Sequence, residues 1–311
     1  MRVIRSVHDF PAEFREAMVT IGNFDGVHRG HQRIFERVIE SAKNVGAPSL
    51  AITFEPHPKK VIHPERHPFF LLTPLDEKLA LIESCGIDAV LVINFNIEFA
   101  RTTAGEFVRS ILWNALRIKK IFIGYDYTFG KDREGNADFL RDRGAQLGFD
   151  IEQIEAVFID NYVVSSTNVR LSILDGNVRL ASRMLGRYYN ISGTVVQGFR
   201  RGTGMGFPTA NIQAEKVIPR AGVYVIYAII DGLRYEGVLN IGFNPTFGNE
   251  ELSVEGHLFD FQGNIYGKKV TILFVDRLRD EMKFPSPQEL AEQIAKDIER
   301  GKSILAAECP P

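Results

Sequence analysis

Cysteine is scarce: the 311 residues include only Cys85 and Cys309. Far apart and without a CxxC partner, the two exclude a secretory disulfide framework and point to a reducing, cytoplasmic location. An excess of charge of one sign is also lacking. The formal net charge of -2 gives no global attraction to nucleic acid or an anionic membrane, so any polyanion must be caught by a local site. Long apolar runs are missing as well. Ile87 to Phe95 is about half of what spans a bilayer, and Met1 to Phe10 lacks the apolar stretch of a signal peptide. No repeat recurs at a fixed period and no segment is of low complexity. Neither nucleic acid nor a membrane is expected as a partner.

The length suits two domains, each able to bury a sizeable core. From Met18 to about Ile173, β-branched runs alternate with helical patterns, which predicts a parallel sheet wrapped by helices, a doubly wound α/β domain. The expected strands are Met18–Gly22, Ser49–Phe54, Ala89–Ile93, Lys120–Gly124 and Ile151–Glu155. Ile34, Phe35, Val38, Ile39, Ala42 and Val45 recur at helical spacing between the first two. After a helical stretch from Asn177 to Leu185 the texture turns β-rich. Ser192–Val196, Val223–Asp231, Arg234–Ile241, Ser253–Phe259 and Lys269–Val275 predict an antiparallel barrel or sandwich. A final helix, Ser286 to Arg300, carries Leu290, Ile294 and Ile298 four apart and is expected to pack on the outside of that barrel or sandwich. The boundary is expected near Leu185 to Asn190, giving domains 1–185 and 186–311.

In an open α/β sheet, ligands bind beyond the carboxyl ends of the strands, where a glycine-rich turn into a helix N-terminus offers backbone N–H groups to a phosphate. Gly22, Gly26 and Gly30 lie there, with His28 and His31 as imidazole donors among them. An isolated HxxH reads equally as half of a metal site, an exposed pair or an accident. No Cys, third His or carboxylate run nearby completes a metal-ligand set.

The segment His28-Arg29-Gly30-His31, taken with Ser165-Ser166-Thr167-Asn168-Val169-Arg170, resembles the paired signature of the HxGH nucleotidyltransferase superfamily. Class I aminoacyl-tRNA synthetases share an HxGH-type element, but no KMSKS-like segment is present. Val19-Thr20-Ile21-Gly22-Asn23-Phe24-Asp25-Gly26-Val27-His28-Arg29-Gly30-His31-Gln32 resembles more closely the opening of the bacterial bifunctional riboflavin kinases/FMN adenylyltransferases, or FAD synthetases. Thr53-Phe54-Glu55-Pro56-His57-Pro58 and Gly124-Tyr125-Asp126-Tyr127-Thr128-Phe129-Gly130 are similar to further stretches of that family. The resemblance implies a Rossmann-like nucleotidyltransferase domain that transfers adenylyl from ATP to FMN, giving FAD and pyrophosphate. It implies that His28 and His31 bind the ATP phosphates, with Gly22, Phe24 and Gly26 in the same site. Ser165, Ser166, Thr167 and Arg170 would close on the leaving pyrophosphate. Asn23 and Asp126 would sit in the flavin and nucleotide pocket. Thr128 stands where the family often has a basic residue.

In the second half, Gly198-Phe199-Arg200-Arg201-Gly202-Thr203-Gly204-Met205-Gly206-Phe207-Pro208-Thr209-Ala210-Asn211 suits a loop over phosphates, with Thr209 and Asn211 as hard oxygen ligands for magnesium. A flexible hairpin explains its glycines equally well, and no Walker loop occurs. Gly206 to Asn211 resembles the riboflavin kinase signature, which implies a six-stranded antiparallel β-barrel followed by the terminal helix. On that resemblance Arg201, Gly202, Gly204, Gly206, Pro208, Thr209 and Asn211 hold Mg-ATP. Thr203 stands where many members carry a second basic residue. Alternation along Val254, Gly256 and Leu258 sends Glu255 to the opposite face of its strand. A solvated carboxylate is the plain reading of that placement. The resemblance makes Glu255 the catalytic base for the flavin hydroxyl, with Asn240, Phe247, Arg279, Glu281 and Phe284 around the flavin.

The function implied is a bifunctional enzyme that phosphorylates riboflavin to FMN and adenylylates FMN to FAD. Its small molecules are riboflavin, FMN, FAD and ATP with Mg2+, and it acts as a monomer or weak homo-oligomer. Retention of only one active site, or a non-catalytic flavin-binding regulator, are the alternatives.

Overall fold

The computed structural model describes residues 1–65, 69–195, 210–211, 216–246, 249–261, 263–309 and 311, with backbone alone for 210, 211, 243–246 and 249–252. The chain divides into two compact units, Met1–Ser166 and Thr167–Pro311.

The first unit runs β1 (Arg2–Ile4), β2 (Met18–Ile21), α1 (Arg29–Val45), β3 (Ser49–Glu55), α2 (Pro58–Ile62), α3 (Leu75–Ser84) and β4 (Ala89–Asn94). It continues with α4 (Ala104–Glu106), extended by a π-helical segment Phe107–Ala115, then β5 (Lys120–Gly124), α5 (Ala137–Leu147), β6 (Asp150–Ile154) and the short hairpin of β7 (Phe158–Ile159) and β8 (Tyr162–Val163). Six strands form one parallel sheet in the order β1-β4-β3-β2-β5-β6. Its central strands are apolar on both faces, as a doubly covered sheet requires: Val19, Leu50, Ala51, Ile52, Val90, Leu91, Ile121 and Phe122 are all fully buried. All five expected strands are present within about one residue at each end. Edge strand β1 was not expected; at three residues it is too short to show a period.

Strand order reverses between β2 and β5. From β2 the chain moves outward through β3 and β4 on one side, and β5 and β6 lie on the other. That is the topological switch point, and the turns leaving β2 and β5 flank the crevice where such sheets bind ligands.

The second unit takes α6 (Ser166–Leu174) from its second residue, α7 (Val178–Leu185), β9 (Tyr189–Val195), β10 (Ala210–Asn211), β11 (Gly222–Ile230), β12 (Leu233–Thr246), β13 (Asn249–Leu258), β14 (Lys269–Arg279) and α8 (Pro287–Ala306). Its antiparallel sheet has six strands in the order β10-β9-β14-β11-β12-β13. The end strands β10 and β13 come within 8 Å of each other at Cα, so the sheet curls into a half-barrel. Strand β12 runs well past the expected Ile241, because Phe243 to Thr246 stay paired with Leu252 to Asn249.

Ser286 caps α8 by accepting from the Glu289 N–H, and Pro287 occupies the first turn, where no donor is lost. The helix ends six residues beyond the expected Arg300, since Gly301 and Leu305 carry the packing onward. At Gly301 a Cβ would lie 3.0 Å from Val238 Cγ1, so helix and sheet meet at glycine. Asp297, buried on α8, takes both Nε (3.1 Å) and Nη2 (2.7 Å) of Arg279. Asp297→Ala strands that guanidinium and is expected to cost about 3 kcal/mol, read as a lowered urea midpoint at unchanged slope.

Candidate functional site

At the switch point the loop from β2 into α1 is tightly constrained. Phe24 (φ 49°) and Val27 (φ 40°) hold left-handed backbone although neither is glycine. For bulky residues such strain costs about 1–3 kcal/mol each and persists only where the surroundings enforce it. The enforcement is visible. Buried Asp25 accepts at Oδ1 from the N–H groups of Leu72 (2.9 Å) and Thr73 (3.0 Å), and Gly26 N–H donates to Thr73 Oγ1 (3.0 Å). Gly22 makes room for the Phe24 ring, which would stand 2.9 Å from a Cβ there.

This loop delivers both histidines to the head of α1. His28 is its N-cap, accepting at Nδ1 from the His31 N–H at 3.3 Å, so the ring proton sits on Nε2. The two rings stack with centroids 3.6 Å apart. Gly30 lets the helix start pass close to the segment after β8: a Cβ would meet His28 Nδ1 at 3.1 Å and the Val164 carbonyl at 3.2 Å. Ser166 Oγ donates to the Asp25 carbonyl at 2.8 Å, so two segments 141 residues apart meet at the strained loop. Ser165 lies beside it. Thr167 and Arg170 follow on α6 and count with the second unit.

The electrostatics suit an anion. His31 Nδ1 is buried with no hydrogen-bond partner among the described residues, and burial, His28 and Lys78 hold this imidazole well below its ordinary pKa. It is therefore uncharged at neutral pH, a donor and acceptor rather than a fixed cation. Lys78 of α3 is buried too. Its ammonium donates to the Asn23 carbonyl (3.2 Å), Thr53 Oγ1 (3.2 Å) and the Phe54 carbonyl (3.5 Å).

Asp126 follows β5 across the crevice, exposed, with Oδ1 3.7 Å from a Cβ at Gly124; Thr128 is exposed two residues on. Beside them lies a chain of rings that the sequence reading passed over. Phe54, Phe95, Phe99, Phe107 and Phe129 contact one another in turn at 5.6 to 6.3 Å, and Tyr127 stacks on Phe129. Their spacing follows no helix or strand period, because they come from the ends of three different strands and the segments after them.

In the second unit, Asn240 of β12 stands opposite Glu255 of β13, and Gly242 stands opposite Ser253. Residues directly across an antiparallel pair share a face, so all four project to the side on which Val238 meets α8. Ser253 Oγ donates to Glu255 Oε1 at 2.9 Å. Val254 is buried and Glu255 exposed, so the alternation expected of this strand is present. Glu281 reaches the same patch: its Oε1 occupies the space a side chain at Gly242 would need. Arg279 is committed to Asp297, with its guanidinium carbon 5.9 Å from the half-buried Phe284 ring. Arg201, Gly202, Thr203, Gly204, Gly206, Pro208, Thr209 and Phe247 lie outside the described residues, as does the Asn211 side chain.

A family model described as FAD synthetase matches residues 10–168, and one described as riboflavin kinase matches residues 185–305. The chain is 39% identical over 308 residues to the bifunctional riboflavin kinase/FMN adenylyltransferase of Pseudomonas fluorescens, covering 98% of each chain. To that of Escherichia coli strain K12 it is 37% identical over 300 residues, covering 96% of each. A solved structure named as a macrolide-efflux protein from Streptococcus pneumoniae superposes with a TM-score of 0.87 at 33% identity, over 96% of this chain and 98% of that one.

Proposed function

The chain belongs to the bifunctional riboflavin kinase/FMN adenylyltransferase family, and from that premise we propose how its own residues divide the two reactions. The activities are phosphorylation of riboflavin to FMN and adenylyl transfer from ATP to FMN. Residues 1–185 serve the second and residues 186–311 the first, a boundary that keeps α6 with the adenylyltransferase signature it carries.

The stacked pair of His28 and His31 at the N-terminus of α1 carries the adenylyltransferase reading. An FMN phosphate oxygen attacks the α-phosphorus of ATP in line, the bond to the β-phosphate breaks, and pyrophosphate leaves. No covalent intermediate with the protein is required, so positioning and charge stabilisation supply the catalysis. The imidazole N–H groups and the helix N-terminus meet the growing negative charge. Ser165, Ser166, Thr167 and Arg170 hold the departing pyrophosphate. Gly22, Phe24 and Gly26 shape the ATP cradle. Asn23 and Asp126 border the flavin, whose ring system suits the aromatic chain of Phe54, Phe99 and Tyr127.

In the kinase half, Glu255 takes the proton of the flavin hydroxyl as its oxygen attacks the γ-phosphorus of ATP and ADP leaves. Ser253 orients that carboxylate. Asn240, Glu281, Phe247 and Phe284 surround the flavin, and Arg279, tied to Asp297, sets the segment that carries Glu281. Arg201, Gly202, Gly204, Gly206 and Pro208 hold ATP, while Thr209 and Asn211 would offer oxygens to its magnesium. Magnesium enters with the nucleotide as part of the substrate. We place the enzyme in the cytoplasm, as a monomer or weak homo-oligomer. No helix among the described residues is long and apolar enough to cross a membrane.

Incubation of the purified chain with riboflavin, ATP and Mg2+, with flavins separated by chromatography, is expected to yield FMN and then FAD. Accumulation of FMN alone, or of neither product, would sink the two-site reading.

A further inference from the structure

Lys78 is a buried cation that neither reaction uses. Only 4% of its surface is exposed, yet no carboxylate pairs with it among the described residues. Its three contacts are two main-chain carbonyls and a hydroxyl. A lone buried ammonium is costly, and a core position would be served better by an apolar side chain. Its partners explain its presence. The Asn23 carbonyl belongs to the strained loop that ends in His28, whereas Thr53 and the Phe54 carbonyl belong to the carboxyl end of β3. Thr53 Oγ1 itself donates to the Asn23 carbonyl at 3.2 Å, so one small network ties the two strand ends together.

Building on the site assignment above, we propose that Lys78 is a positioning residue of the adenylyl-transfer site. Its ammonium clamps the loop carrying Asn23 to the end of β3 and sets the spacing between the histidine pair and the β3 edge of the crevice. Its charge also lies close enough to depress the His31 imidazole, together with His28 and burial. Burial holds the Lys78 ammonium below its ordinary pKa, and Glu55 of β3 and Asp25 of the loop offset part of that cost.

The test is Lys78→Met, which keeps the stem and removes the ammonium. The expected result is an adenylylation kcat lowered by about 100-fold with a smaller change in KM for ATP, as for a misplacement of about 1 Å at the reacting groups. Riboflavin phosphorylation by the same chain should stay within about twofold, because that step uses neither Lys78 nor the groups it contacts. The acid limb of the adenylylation pH profile should move upward, because loss of a neighbouring cation eases protonation of His31. Lys78→Arg, which restores the charge but not the compact three-acceptor geometry, should return the acid limb while recovering only part of kcat. An unchanged kcat, an unmoved acid limb, or a parallel fall of both activities would overturn the proposal. If Lys78→Met does not fold, Thr53→Val removes one acceptor and should lower adenylylation about tenfold; no change there also overturns it. Wild type and His31→Ala are assayed alongside. A wild type that makes no FAD, or a fully active His31→Ala, counts against the site assignment itself, whereas an unaffected Lys78→Met beside a normal wild type counts against Lys78 alone.

Discussion

His31→Ala is expected to lower FAD formation from supplied FMN by roughly 10²- to 10³-fold, about 3–4 kcal/mol of transition-state stabilisation, by analogy with the loss of one oxyanion donor. The reason is geometric. The imidazole lies in the first turn of α1, stacked on His28, with a buried Nδ1 that has no hydrogen-bond partner among the described residues. Burial, with His28 and the Lys78 ammonium beside it, keeps it neutral, so what it offers a phosphate is a directed N–H rather than a diffuse charge. Truncation removes that donor while leaving the helix cap, because His31 contributes its main-chain N–H to the cap and keeps it as alanine. His28→Ala should lose a similar factor in rate, with an added stability cost of about 1 kcal/mol, since there the cap acceptor itself disappears. Comparing thermal midpoints of the two variants separates the contributions. Near-wild-type turnover in His31→Ala would contradict a phosphate-handling role.

The second large effect is expected at Glu255. Glu255→Gln keeps the shape and still accepts the Ser253 hydroxyl through its amide oxygen, but it can no longer take up a proton. Flavin phosphorylation should fall by roughly 10²- to 10⁴-fold, the usual worth of a positioned general base. FAD formation from supplied FMN should stay near wild type, because the chemistry of that step uses neither Glu255 nor its sheet. Measuring kcat for riboflavin and for FMN separately checks both halves of the expectation.

Much of the fold was legible because its signals are local. The strands of the parallel sheet are buried on both faces and read as short apolar runs, and Ser286, an ordinary capping residue, opens α8 where the last helix was expected. Alternation sends Glu255 to the face opposite Val254, and the two differ in burial as that alternation predicts. The features that escaped are those in which distant segments meet. Asp25 is one acidic letter in a motif until Leu72 and Thr73 fold over it. Nothing local in the sequence singles out Lys78, and only the tertiary structure shows it buried against Asn23 and Thr53. The aromatic chain from Phe54 to Phe129 has no period along the sequence because the carboxyl edge of the sheet assembles it. Nothing in the sequence around Arg279 names its partner, Asp297, 18 residues on.

The most direct test feeds the two variants separately with riboflavin and with FMN, each with Mg-ATP, and resolves the flavins by chromatography. His31→Ala should convert riboflavin to FMN and stop there, while Glu255→Gln should leave riboflavin unchanged yet carry FMN to FAD. Loss of both activities in either variant, or FAD formation by His31→Ala at the wild-type rate, would contradict two chemistries held by separate residues of one chain.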